Sequence, residues 1–101
     1  MLSVYVTFPD EKTARKIARA LVKKNLLMCA NLFPITSIYK WKGKLVEEGE
    51  WAMMGKCAKG KIRMAEKRIL ELHPYEVPCV VWHDEKSTPK YAKWVESVGG
   101  E

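Results

Sequence analysis

The chain predicts an α+β fold: one antiparallel sheet with its main helices gathered on a single face. Three observations carry this expectation. A β-branched and aromatic run opens the chain and gives way to an amphipathic helix. Two long, strand-like stretches then flank a Lys42-Gly43-Lys44 turn. A second helix and a short valine-centred strand follow, with one more helix after them.

Leu2–Phe8 (LSVYVTF) reads as the first strand, and Pro9 ends it. Asp10 stands at the N-cap position of a helix and Glu11 in its first turn. Ala14, Ile17, Ala18, Leu21 and Val22 recur at helical spacing, with Lys12, Arg15, Lys16, Arg19 and Lys23 opposite. Asn25 suits a left-handed C-cap. Leu26–Phe33 reads as a buried strand. Pro34 interrupts it, which implies a bulge, a bend or an edge position, and Ile35–Trp41 resumes it. Ser37, Tyr39 and Trp41 share one face of that piece. After the turn, Leu45–Glu47 and Glu50–Cys57 are extended, with an irregularity expected at Glu48-Gly49, so the pair forms a long, bent hairpin. Lys59–His73 carries a helical apolar stripe of Ile62, Ala65, Ile69 and Leu72, and Pro74 stops it. Val77–His83 is the last strand. Ser87-Thr88-Pro89 starts a final helix with a hydroxyl cap and a first-turn proline. Tyr91, Trp94, Val95 and Val98 form its apolar face, and Gly99-Gly100 ends it. The order β-α-β-β-α-β closes through right-handed crossovers into the ferredoxin-like arrangement.

With 101 residues, 48% of them hydrophobic and 30% charged, the chain suits one globular domain spanning residues 1–101. No apolar run approaches the roughly 20 residues a membrane helix needs. No signal-like segment opens the chain, so the expected location is the cytoplasm, without membrane partners. The net charge of +6 raises the question of an anionic partner. An RNA-recognition sheet would carry a Gly-Phe-rich third strand, whereas this one reads Glu50-Trp51-Ala52-Met53-Met54-Gly55, so no nucleic acid is expected. Cys29, Cys57 and Cys79 form no Cys-x-x-C pair, which leaves no zinc ribbon or thioredoxin-like motif. The chain also lacks a phosphate loop and a Ser-His-Asp order, so no enzymatic activity is expected. Ser37, Tyr39, Trp41, Trp51 and Trp82 make more aromatic surface than one small sheet should expose, which implies that subunits pack together.

Cys29-Ala30-Asn31-Leu32, Ser37-Ile38-Tyr39-Lys40-Trp41-Lys42-Gly43-Lys44 and His73-Pro74-Tyr75-Glu76-Val77-Pro78 closely resemble the CutA family of divalent-cation tolerance proteins. Thr7-Phe8-Pro9-Asp10 and Tyr91-Ala92-Lys93-Trp94 match as well. The resemblance covers nearly the whole chain. It implies a PII-like homotrimer bridged by the long hairpins, the binding of copper or another divalent cation, and a role in the response to metal ions. It also places the residues matching Glu50 and Lys56 around a cavity between subunits.

The candidate residues each carry two readings. His73 is a metal ligand through its imidazole, or a helix-terminal residue that packs beneath a turn. Cys29 is the leading thiol for soft copper, or a small buried side chain, as are the other two cysteines. Glu50, Lys56, Tyr75 and Glu76 line an inter-subunit pocket for a small anionic ligand, or form an ion pair that sets the trimer's register. Tyr39 and Trp41 are assigned to the trimer contact.

Overall fold

The computed structural model describes residues 1–97. Val98, Gly99 and Gly100, expected to finish the last helix, lie outside the described residues. The elements are β1 (Leu2–Phe8), α1 (Glu11–Lys23), β2 (Cys29–Trp41), β3 (Lys44–Cys57), a 3-10 turn (Lys59–Lys61), α2 (Ile62–Leu72), β4 (Val80–Asp84) and α3 (Pro89–Glu96). The strand order is β2-β3-β1-β4 and every neighbouring pair is antiparallel, as the ferredoxin-like expectation requires.

Period-two alternation decides the two faces of the sheet. Leu2, Val4, Val6 and Phe8 of β1 are buried together with Ala14, Ile17, Leu21, Ala65 and Ile69 of α1 and α2. Ser3, Tyr5 and Thr7 point to the opposite, open face. The Asp10 carboxylate accepts the Thr13 N–H at 2.8 Å and so caps α1. Past its end, Asn25 takes a left-handed φ of 60°, and the Leu26 N–H returns to the Leu21 carbonyl at 2.9 Å.

Two strand starts and three local features differ from the sequence expectation. β2 begins at Cys29 rather than Leu26, because Leu26 and Leu27 turn into the core. Leu27 occupies the space above Gly55, where an added Cβ would meet its Cδ1 at 2.8 Å. Pro34 interrupts nothing: β2 is the edge strand, so a residue without an N–H is tolerated there. The hairpin register runs unbroken from Cys29 opposite Lys56 to Trp41 opposite Lys44, through Gly49 as well. β4 begins at Val80 rather than Val77, after the last residue that Pro74 and Pro78 constrain. In α3, Pro89 stands in the first turn as expected, but Thr88 makes no side-chain capping bond. The hairpin tip is a tight turn with positive φ at Lys42 (52°) and Gly43 (80°), the geometry that matches strand twist.

Cys57 is fully buried, while Cys29 is half-buried and Cys79 exposed. Trp51 and Trp82 pack against the helix-covered core rather than adding to the open aromatic surface. Burial pushes the Cys57 thiol up to about 11 from an ordinary 9.0. The folded state therefore keeps its proton while the unfolded chain loses it. The stability this contributes is full below pH 9 and lost as the pH rises towards 11, an effect of about 2–3 kcal/mol. Urea midpoints measured between these pH values should fall faster for the wild-type chain than for Cys57→Ala.

Candidate functional site

β1 pairs only with Trp51–Cys57 of β3, so residues 35–50 extend beyond it as a two-stranded ribbon. The alternation places Ser37, Tyr39 and Trp41 of β2 on the open face beside Glu48 and Glu50 of β3. The segment after α2 lays Tyr75, Glu76 and Val77 against them, and Cys79 and Thr7 complete the floor. Together they line a half-open cavity of about 510 Å³.

Two tyrosine hydroxyls hold the two β3 carboxylates. Tyr39 donates to Glu48 Oε1 at 2.6 Å, and Tyr75 donates to Glu50 Oε2. The hydrogen bond to Glu48 pushes the Tyr39 phenol up to about 12. Burial, then the bond to Glu50, raises Tyr75 further still. Cys79, though its residue is exposed overall, is raised first by partial desolvation of its thiol against the cavity floor and second by the Glu50 charge. Glu50 is only 7% exposed. The lining contains three carboxylates and no lysine, arginine or histidine. Among the described residues, Glu48, Glu50 and Glu76 make no ion pair.

His73 works behind this cavity. It ends α2 in an extended conformation, is buried, and stacks on Phe8 with ring centroids 5.2 Å apart. Its Nε2 lies 2.7 Å from the Thr7 carbonyl, and its Nδ1 accepts the Tyr75 N–H at 3.1 Å. These partners assign a neutral ring with its proton on Nε2 and both nitrogens engaged. His73 thereby fixes the backbone that carries Tyr75 to Glu50.

The four residues expected to share a pocket do not all meet within one chain. Glu50, Tyr75 and Glu76 do. Lys56 lies six residues along β3 from Glu50, roughly 20 Å at about 3.3 Å per residue. Its ammonium donates to Ser3 Oγ at 2.9 Å and pairs with Glu85 at 3.8 Å. His73 and Cys29 are separated as well. Cys29 lies level with Ser3, its Sγ 3.3 Å from the Tyr91 hydroxyl, whereas His73 bonds the backbone four residues farther along β1. Among the described residues, no three His, Cys, Asp or Glu side chains gather closely enough to hold a metal ion. The described residues of a single chain thus offer no closed metal site, and the cation-attracting donors among them are the cavity carboxylates. Glu48 and Cys79 were absent from the sequence-derived pocket. Counting two residues back from Glu50 on the same face would have found Glu48.

Residues 2–98 match the model of a family described as the CutA1 divalent ion tolerance protein. Protein CutA of Mus musculus is 44% identical over 98 residues, which cover 95% of this chain and 55% of the mouse protein. The chain therefore spans about half the length of that relative. The divalent-cation tolerance protein CutA of Thermotoga maritima is 40% identical over 100 residues, covering 97% of this chain and 99% of that one. Among solved structures, the PII-like protein CutA from Nostoc sp. PCC 7120 superposes with a TM-score of 0.91 at 35% identity, covering 96% of this chain and 95% of that one. The element order, the sheet topology and these full-length matches agree, and the chain belongs to the CutA family of divalent-cation tolerance proteins, with their PII-like fold.

Proposed function

We propose that the chain acts without catalysis, as a cytoplasmic homotrimer in the response to divalent cations, copper among them. Each cation is captured where the acidic cavity of one subunit meets its neighbour. The observation that carries this reading is the cavity lining, with three carboxylates and no basic side chain. Such a lining attracts cations and repels anions, so it disfavours the alternative of a small anionic ligand. Lys56, the residue that alternative needs, is already paired with Glu85.

Two further observations support assembly. A projecting two-stranded ribbon is marginally stable alone and gains from neighbours. The open face also exposes Phe33, Tyr39, Trp41 and Val81. Three unpaired thiols fit a reducing compartment. The raised thiol pKa of Cys79 and the fully engaged ring of His73 both run against nucleophilic chemistry.

Native mass spectrometry with Cu²⁺, Cu⁺ and Zn²⁺ tests the proposal. The expected result is a trimer that retains metal, and a Glu48→Gln, Glu50→Gln variant that stays trimeric and binds at least about tenfold more weakly. A monomer, a trimer that retains no metal, or a variant that binds as before would overturn it.

A further inference from the structure

We infer that the outward face of α1 and α2 docks on an anionic phospholipid surface, with Lys12, Lys16, Arg19 and Lys23 of α1 as its basic seam. This goes beyond the cation-response reading and does not rest on it. No helix among the described residues is long and apolar enough to cross a membrane, so the contact is peripheral. The sequence expectation of no membrane partner followed from the lack of a spanning segment, and it is revised for peripheral contact alone.

The chain's charge is unevenly placed. α1 holds Lys12, Arg15, Lys16, Arg19 and Lys23 against Glu11 alone, and α2 holds Arg63, Lys67 and Arg68 against Glu66 and Glu71. The two helices thus carry a net +5 of the chain's +6, on the side of the sheet away from the carboxylate-lined cavity. A molecule polarised in this way turns its helical face towards a negative surface. Positions 12, 16, 19 and 23 fall within one narrow arc of α1, opposite the buried Ala14, Ile17, Ala18 and Leu21. The seam runs about 16 Å at about 1.5 Å per residue. All four side chains are exposed, and none pairs with an acid among the described residues. Lys12 and Lys16, and Arg19 and Lys23, stand four residues apart, where like charges destabilise a helix until counter-charges neutralise them.

The neighbouring helix supplies what a purely basic stripe lacks. Met64 and Leu70 of α2 are each more than half exposed, and Val22 of α1 is exposed as well. Apolar side chains among basic ones enter the boundary between headgroups and acyl chains, while the cations meet the lipid phosphates and carboxylates. Neither helix has an aromatic ring to stack on a base, nor an Asn or Gln to read one, so the face fits a lipid surface better than a nucleic acid. Tyr39 and Trp41, assigned to the subunit contact, lie on the opposite face of the sheet, which leaves this one accessible in the assembly.

Flotation of the full chain with phosphatidylcholine vesicles, with and without about 30% phosphatidylserine, tests the assignment. The serine-lipid vesicles should bind it at least about tenfold more strongly at about 0.1 M salt, and most of that gain should vanish at about 0.5 M. Each Lys or Arg near such a surface strengthens binding by about fivefold, so Lys12→Ala, Lys16→Ala, Arg19→Ala and Lys23→Ala together should weaken it about 100-fold or more. Alanine is a good helix former, so circular dichroism should be unchanged. Lys86→Ala, Lys90→Ala and Lys93→Ala together remove exposed charge elsewhere and should cost less than about threefold. Equal binding to both vesicles would overturn the assignment, as would an α1 variant that binds like the wild type or an equal loss in the two variants. Binding of a short DNA duplex without binding to either vesicle would give the face to nucleic acid and overturn it too.

Discussion

Replacing Tyr39 and Trp41 together with alanine should convert the proposed trimer into monomers of 11.6 kDa, as read by sedimentation at micromolar concentration. Both side chains sit near the tip of the ribbon that runs beyond β1, at 38% and 42% exposure. Neither belongs to the buried cluster between the sheet and its helices. Their removal therefore leaves the subunit's own core intact, and far-ultraviolet circular dichroism should be nearly unchanged. Aromatic anchors of this kind each contribute about 2 kcal/mol or more to an interface. Cyclic closure repeats that loss at every contact in the ring. Tyr39 also holds Glu48, so the double variant should lose cation retention along with assembly. A trimer that survives both substitutions would show that other surfaces hold the subunits together.

His73→Ala should lower the unfolding free energy by about 2–4 kcal/mol. Two hydrogen bonds go, each worth about 0.5–1.5 kcal/mol, and they leave the Thr7 carbonyl and the Tyr75 N–H short of partners. The stack on Phe8 goes as well, for about 0.5–1.5 kcal/mol more. That is a large share of the total stability of a small domain, typically about 5–15 kcal/mol. Urea denaturation measures it directly. Weaker cation binding should follow only as far as Tyr75 loosens its hold on Glu50. If stability were unchanged while metal affinity collapsed, His73 would be a ligand and not a support.

Much of the fold is legible because its signals are local. The alternation in Leu2–Phe8, the cap at Asp10 and the turn at Lys42-Gly43 each act within a few residues, and each appears in the structure. The misplaced strand starts share one cause. Leu26, Leu27 and Val77 are apolar, but two of them fill the core and one is exposed beside a proline, and composition alone does not separate these fates. The site was legible in part. Periodicity places Glu50 and Lys56 on one face, but it does not say that six residues of extended chain keep them at opposite ends. His73 looked like a ligand because imidazole binds metals. Its two partners come from β1 and from the turn that follows it, and only the folded chain shows both nitrogens taken.

The register of β1 also bears on how the chain assembles itself in time. Leu2 pairs with Cys57 on one side and with Asp84 on the other, so the central strand is made before its partners and completes its pairing only once β4 exists. The β2–β3 hairpin needs only its own tight turn, and hairpins of this type close in about 1–10 μs. Contacts as remote as those of β1 must first overcome a much larger loop entropy and set the slower pace. During synthesis the ribbon is therefore complete while its inner edge still waits for β1. An unpaired edge of that length invites mispairing with other chains. Heat-shock chaperone demand and refolding yield at high protein concentration should accordingly depend on how quickly β1 docks.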